Sequence, residues 1–290
     1  MTGKRRRKKP SVPIFPLAVA VLVVAVMAGY GLWKTKGKAV PEKVVKPAGR
    51  EAVREQKPDD AVRRDDRGNR VALIIDDLGY DLDVARKISN LSVPIALAVL
   101  PHCPFSREVT RLAREKNREI LLHLPMEPRG YPEVDPGEGA LLCSMTEEDV
   151  IRQLEKNIEA VPGAVGVNNH MGSLFMENGD DLEVVLCHLK RKSLFFIDSL
   201  TTGNSRAGQA ARRVGLPFAA RDVFIDNGNS LAETRAVFER LLEKRSSWRE
   251  LVLIGHPYET TVDALEEWAP KYEQAGIRFV PLSSVVKREP

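Results

Sequence analysis

From Val71 onward, short runs of consecutive apolar residues alternate with longer stretches in which apolar residues recur every three or four positions. The runs fall at 71–75, 95–99, 119–122, 164–167, 194–197, 223–225, 251–254 and 278–280, and the amphipathic stretches include 82–91, 106–116, 146–160, 180–192, 231–244 and 262–275. A short continuous apolar run reads as a strand covered on both faces, and a three-to-four repeat as a helix with one face inward. Strand and helix in rotation predict parallel strands with crossover helices. The expected fold class is therefore α/β, as a single distorted or incomplete (β/α) barrel of about seven to eight parallel strands, with a doubly wound open sheet as the alternative.

Upstream the pattern changes character. Residues 11–33 contain no charged side chain and are dominated by Leu, Val and Ala. At about 1.5 Å per residue such a segment crosses a hydrocarbon core of about 30 Å, which predicts a transmembrane anchor. Pro13 and Pro16 stand at its start, where a helix tolerates proline, and Tyr30 and Trp33 stand where aromatic rings favour the interface. Residues 4–9 are all Lys or Arg, so residues 1–10 are expected as a basic cytoplasmic tail. That orientation makes the protein single-pass in the cytoplasmic membrane, with everything after Trp33 in the periplasm or outside. Residues 17–28, ending in Val26-Met27-Ala28, also have the form of a cleavable signal peptide, and in either case the domain at 71–290 is exported. Between them, 34–70 carries 19 charged residues in 37 and no apolar periodicity, the composition of a disordered linker.

Charge adds one exclusion. The chain of 290 residues has a formal net charge of +4, but residues 1–70 hold 18 Lys/Arg against 7 Asp/Glu, a net of +11, leaving −7 for 71–290. The basicity belongs to the N-terminal segment, and nucleic acid is not an expected partner of the domain. Cys103, Cys143 and Cys187 show no CxxC spacing, so neither a zinc cluster nor a disulfide framework is indicated.

The polar residues that end the apolar runs carry the chemistry. VALII ends in Asp76-Asp77, EILL in His123, AVGV in Asn168-Asn169-His170, LFFI in Asp198-Ser199, VFI in Asp226 and LVLI in Gly255-His256. In a β/α barrel all these ends share one face, where active sites of this architecture are built. Asp or Asn after a strand is also ordinary turn and capping chemistry, but that does not account for three of five histidines at strand ends.

Two imidazoles and a carboxylate with an open fourth position make a catalytic zinc-type site, and Asp77, His123 and His170 are the expected ligand set. At a strand end the alternation of side chains lapses, so Asp76 and Asp77 can approach one centre. Asp76 then accepts a proton from activated water, and His256 is the candidate general acid for the leaving group. Glu127, four residues after His123, competes with His170 as third ligand, and His102 also stands at a strand end, whereas His188 lies inside a helical pattern. The phosphate-binding, dinucleotide, serine-elbow and H-E-x-x-H motifs are absent from the domain.

In order along the chain, IIDDLGY at 74–80, LAVLPHCPFS at 97–106, LLHLPMEP at 121–128, GVNNHMGS at 166–173, FIDSLT at 196–201, RDVFIDN at 221–227 and IGHP at 254–257 resemble the divergent polysaccharide deacetylase family. The resemblance implies a deformed β/α barrel, a cell-envelope location and descent from metal-dependent hydrolases that remove N- or O-acetyl groups from peptidoglycan or similar glycans, with zinc as the foremost metal. It implies Asp76 as catalytic base, Asp77 and His123 as metal ligands and His256 as the late catalytic histidine. The better-known superfamily members place two metal-binding histidines four residues apart, whereas here Glu127 follows His123. Their arginine-containing substrate motif is replaced by Asn168-Asn169-His170-Met171-Gly172. Two readings stand at this point: a deacetylase-like hydrolase, or a non-catalytic glycan-binding or scaffolding factor in envelope biogenesis on the same fold.

Overall fold

The computed structural model describes residues 68–228 and 230–287. The basic tail, the membrane-length segment and residues 34–67 of the linker lie outside the described residues. Among the described residues no helix is long and apolar enough to cross a membrane.

The predicted rotation is present: β1 (Arg70–Leu78), α1 (Leu82–Ser89), β2 (Ala96–Val99), α2 (Ser106–Glu115), β3 (Glu119–Met126), α3 (Glu147–Ala160), β4 (Gly166–Met171), α4 (Gly179–Arg191), β5 (Phe195–Asp198), α5 (Ala207–Val214), β6 (Phe218–Ala220), β7 (Val223–Phe224), α6 (Leu231–Glu243), β8 (Glu250–Gly255), α7 (Glu259–Gln274) and β9 (Arg278–Phe279). Four helices start at residues suited to the role: Asp81, Thr146, Asn178 and Ser230 accept the N–H groups of their own first turns. Two elements are invisible to the hydrophobic pattern. The inward residues of α5 are Ala207, Ala210 and Ala211, and β6 is three residues long.

Every strand pair is parallel, in the order β6-β5-β4-β3-β2-β1-β8-β7, with β9 added beside the start of β1. That order has no reversal, so a doubly wound sheet does not apply. It is the cyclic order of a barrel cut between β6 and β7. Only Arg221 and Asp222 separate those strands, so the two edges stand within about 11 Å. The dipeptide closes the seam: the Arg221 N–H donates to the Asp198 carbonyl and the Asp222 N–H to the Val252 carbonyl, each at 2.9 Å. The result is a curled, incomplete barrel.

Alternation along the strands separates two cores. Outward residues such as Leu73, Ile75, Leu97, Ile120 and Leu122 pack with the helices in the larger cluster. Inward residues Ala72, Ile74, Ala96, Ala98, Leu121, Phe195, Ile197, Val252 and Ile254 fill the barrel interior. Each inward series then continues, two residues on, into a polar position: Ile74 to Asp76, Leu121 to His123, Ile197 to Ser199 and Ile254 to His256. The barrel is apolar below and polar at its C-terminal mouth, because a period of two carries the inward face up each strand.

Candidate metal centre and active site

The two aspartates reach one centre through a bulge. Ile75 and Leu78 of β1 pair with Leu97 and Val99 of β2, so β1 has one residue too many between these pairs. Asp77 takes up the excess at φ +55, a conformation that Asp tolerates better than most residues. The expected lapse of alternation therefore has a definite cause. On the other side, β3 and β4 pair His123 with Asn168 and Pro125 with His170. Paired residues of parallel strands face the same way, so His123, Asn168 and His170 all point inward. The ends of β3 and β4 approach closely because residue 172 is glycine: a Cβ there, at φ +84, would lie 2.9 Å from the Met126 Cβ.

Three atoms converge. Asp77 Oδ1 lies 2.8 Å from His170 Nδ1 and 3.1 Å from His123 Nε2, and the two ring nitrogens lie 3.1 Å apart. Asp76 Oδ2 stands 3.7 Å from the same His123 nitrogen. Asp77, His123 and His170 are the group of potential metal ligands found among the described residues.

The surroundings fix how each atom presents itself. Asn168, fully buried, donates through Nδ2 to Asp76 Oδ1 at 2.8 Å and to Ser199 Oγ at 3.2 Å. Its Oδ1 therefore faces His123 Nδ1, at 2.9 Å, and that nitrogen must be the donor. The His123 Nε2 lone pair is left for the centre. Burial pushes the Asp77 carboxyl up, but His123 and His170 outweigh it and hold Asp77 well below the ordinary carboxylate range. Burial dominates at Asp76 and raises its pKa. For His123 burial favours the neutral ring, yet Asp76 and Asp77 prevail and push it up to about 9.

A divalent metal fits these residues. One carboxylate and two imidazoles are a set that zinc takes, and ligand atoms about 2.0–2.1 Å from a tetrahedral ion stand about 3.3 Å apart, close to the separations found. Asp77 Oδ1 is buried and makes no hydrogen bond of proper geometry, despite its two nitrogen neighbours. A backing hydrogen bond such as that from Asn168 to His123 is the usual support of a ligating histidine.

Beside this centre stands a second pair. Asp226, buried, accepts from His256 Nδ1 at 2.9 Å, from the His256 N–H at 2.6 Å and from Thr261 Oγ1 at 2.8 Å. This close approach requires glycine at 255, where a Cβ would lie 2.9 Å from the Ile225 side chain and 3.2 Å from Asp226 Oδ2. Burial favours the neutral His256 ring, but Asp226, with Asp76 and Asp77 further off, leaves its pKa raised. Phe224 stacks on that ring at 5.6 Å, and the Arg221 guanidinium covers Phe224 at 3.8 Å.

The other candidates serve structure. Glu127 Oε2 accepts the Cys143 N–H at 2.6 Å, and the cluster of potential ligand atoms contains His170 and not Glu127. His102 holds Asn157 at 2.9 Å on the far side of the β2 loop. Asn169 ties β4 to the loop after β5, accepting the Ser199 N–H at 2.9 Å and donating to the Met171 carbonyl at 2.9 Å. Asp198 braces the same loop through the Leu200 N–H and Ser205 Oγ. His188 is buried in α4 against Glu155 at 2.7 Å, and all three cysteines are free thiols. Asn168, which the strand-end pattern does not separate from Asn169, stands two residues before His170, a spacing that puts both on one face of β4.

The mouth has one further property. Of the seven large hydrophobic side chains left exposed among the described residues, six (Tyr80, Phe105, Tyr131, Val134, Leu200 and Tyr258) lie in segments that follow the C-terminal ends of strands.

The sequence profile of the divergent polysaccharide deacetylases matches residues 73–286. The chain belongs to this family. Within reach of these deacetylase-family residues, the chain is 33% identical over 198 residues to the uncharacterized protein YibQ of Escherichia coli, covering 68% of this chain and 61% of YibQ. The aligned part thus spans about three fifths of that relative's length. An uncharacterized protein of Haemophilus influenzae is 30% identical over 213 residues, covering 73% of this chain and 72% of its own length. The crystal structure of an uncharacterized protein from Agrobacterium tumefaciens superposes with a TM-score of 0.72 at 25% identity, covering 76% of this chain and 90% of that one. The divergent deacetylase fold therefore extends over the whole described domain.

Proposed function

We propose that this protein is a divalent-metal-dependent hydrolase, with zinc foremost, that removes acetyl groups from an envelope polysaccharide such as peptidoglycan. Residues 11–33 would anchor it in the cytoplasmic membrane with the domain outside. The observation that carries the reading is the convergence of Asp77 Oδ1, His123 Nε2 and His170 Nδ1 with a free carboxylate on one side and a carboxylate-held imidazole nearby.

Asp77, His123 and His170 would hold a divalent ion, which would supply Lewis acidity toward an acetyl carbonyl and lower the pKa of water. Asp76 takes the proton that the attacking water loses; its raised pKa makes it a better base than an ordinary carboxylate. His256, whose pKa Asp226 raises, gives its Nε2 proton to the leaving nitrogen or oxygen. A carbon–oxygen bond to water's oxygen forms, the bond to the leaving atom breaks, and acetic acid, which ionises to acetate by giving its proton to solvent or to the freed amine, and a free amine or hydroxyl result. Water leaves the sum balanced, and proton return from Asp76 to His256 through solvent resets the site.

These exposed apolar side chains favour a sugar polymer. Pyranose rings present apolar C–H faces, and Tyr80, Tyr131 and Tyr258 offer aromatic faces with polar tips. The test is metal analysis of the purified full chain, followed by acetate release from acetylated peptidoglycan and chitooligosaccharides. A metal-free protein would overturn the mechanism. A metal-loaded protein that binds glycan and releases no acetate would establish instead the non-catalytic reading, which the loss of the usual histidine pair favours.

A further inference from the structure

We propose that Asn168 is a positioning residue that serves both halves of the centre at once: its carbonyl oxygen sets the tautomer and rotation of the ligand His123, and its amide nitrogen sets the rotation of the base Asp76. This rests on the reading of the centre as a metal site.

The amide has no freedom to do otherwise. It is fully buried, and its two ends face different partners, His123 Nδ1 at 2.9 Å and Asp76 Oδ1 at 2.8 Å. Turning it over would set its N–H groups against the Nδ1 hydrogen and its oxygen against the Asp76 oxygen, two repulsive contacts in place of two attractive ones. Ser199 Oγ, taking the second amide hydrogen at 3.2 Å, fixes the orientation further. Ser199 is itself held, since its N–H donates to Asn169 Oδ1 at 2.9 Å. The two adjacent asparagines thus divide their work by face: Asn169 secures the loop after β5, and Asn168, on the inward face, links the ligand to the base.

Separating the two functions requires two substitutions. Asn168→Asp keeps an oxygen for His123 Nδ1 and removes the donor to Asp76. Asn168→Ala removes both. In the full-length protein, zinc affinity measured by chelator competition should fall on the order of 10- to 100-fold for Asn168→Ala, the usual cost of losing a partner behind a ligating histidine, and stay within about 3-fold of the parent for Asn168→Asp. With zinc saturating, Asn168→Asp should lower kcat on the order of tenfold or more at unchanged KM, because the base is misdirected while the ligand set is intact. Thermal denaturation of both variants identifies a loss of fold. Unchanged zinc affinity in a folded Asn168→Ala protein would overturn the proposal, as would Asn168→Asp losing zinc as severely as Asn168→Ala. A parent protein that binds no zinc would instead overturn the reading of the centre itself, a result distinguishable from either.

Discussion

Replacing Asp226 by Asn tests how the pKa of His256 is raised. The carboxylate stands 2.9 Å from His256 Nδ1, with charge centres about 4 Å apart. At an effective dielectric constant near 20 that pair is worth about 4 kcal/mol. The His256 side chain is 24% exposed, and solvent screening reduces the figure to about half. Loss of that attraction lowers the pKa of His256 from its raised position. There is a second effect. The acceptors for the His256 N–H and Thr261 Oγ1 both fall on Oδ2, so an asparagine keeps its oxygen there and turns its NH2 toward Nδ1. Nδ1 must then accept, and the ring is driven to the tautomer that carries its proton on Nε2 and cannot be charged without repulsion. The assay is NMR titration of the His256 ring in parent and variant, which needs no turnover. The alkaline limb of kcat/KM for acetate release, where present, should move to lower pH by the same amount. A His256 pKa within about 0.5 unit of the parent would refute the electrostatic account.

The ligand assignment predicts that His170→Ala and Asp77→Asn lose bound metal, while Glu127→Gln keeps it, as read by metal content after dialysis; loss in the Glu127 variant and retention in the His170 variant would reverse the assignment. The raised pKa of His123, about 9, sets a pH dependence. A histidine whose folded pKa lies above its ordinary 6.5 contributes stability that is full below about pH 6.5 and lost as pH climbs through about 9, so the metal-free protein should show a falling Tm over that window. In the same window zinc affinity should rise with pH, because the ion no longer competes with a proton on Nε2; a flat affinity would contradict the shift. Gly172→Ala places a Cβ 2.9 Å from the Met126 Cβ at φ +84, and should cost about 2–3 kcal/mol in denaturant unfolding.

Much of the domain could be read from its alternation of apolar runs and amphipathic stretches, since most runs that became strands are short and dominated by Val, Ile, Leu, Phe or Ala. Short elements escaped: α5 packs with alanines, which carry little periodic contrast, and β6 gains its place through pairing with β5. The convergence of Asp77, His123 and His170 was legible because strand ends in a barrel share one face. The choice between His170 and Glu127 was not, since it depends on register: β3 and β4 pair His123 with Asn168, two residues before His170, while Glu127 lies beyond the end of β3 and meets the Cys143 N–H. Likewise no sequence rule distinguishes Asp76 from Asp77, whose different pKa shifts follow from one residue's excess on β1.

The apolar filling of the barrel interior makes the centre a stopped well. Ile74, Leu121, Ile197 and Ile254 are buried below it, and Tyr80, Tyr258 and Leu200 are exposed in the loops that follow the strands at the mouth. A polymer strand lying across the mouth would shut it. In the proposed reaction the proton given by His256 would then be one it already carried when the strand arrived, and the proton caught by Asp76 would wait until the strand departs. On that reading each visit of substrate would admit one round of proton traffic.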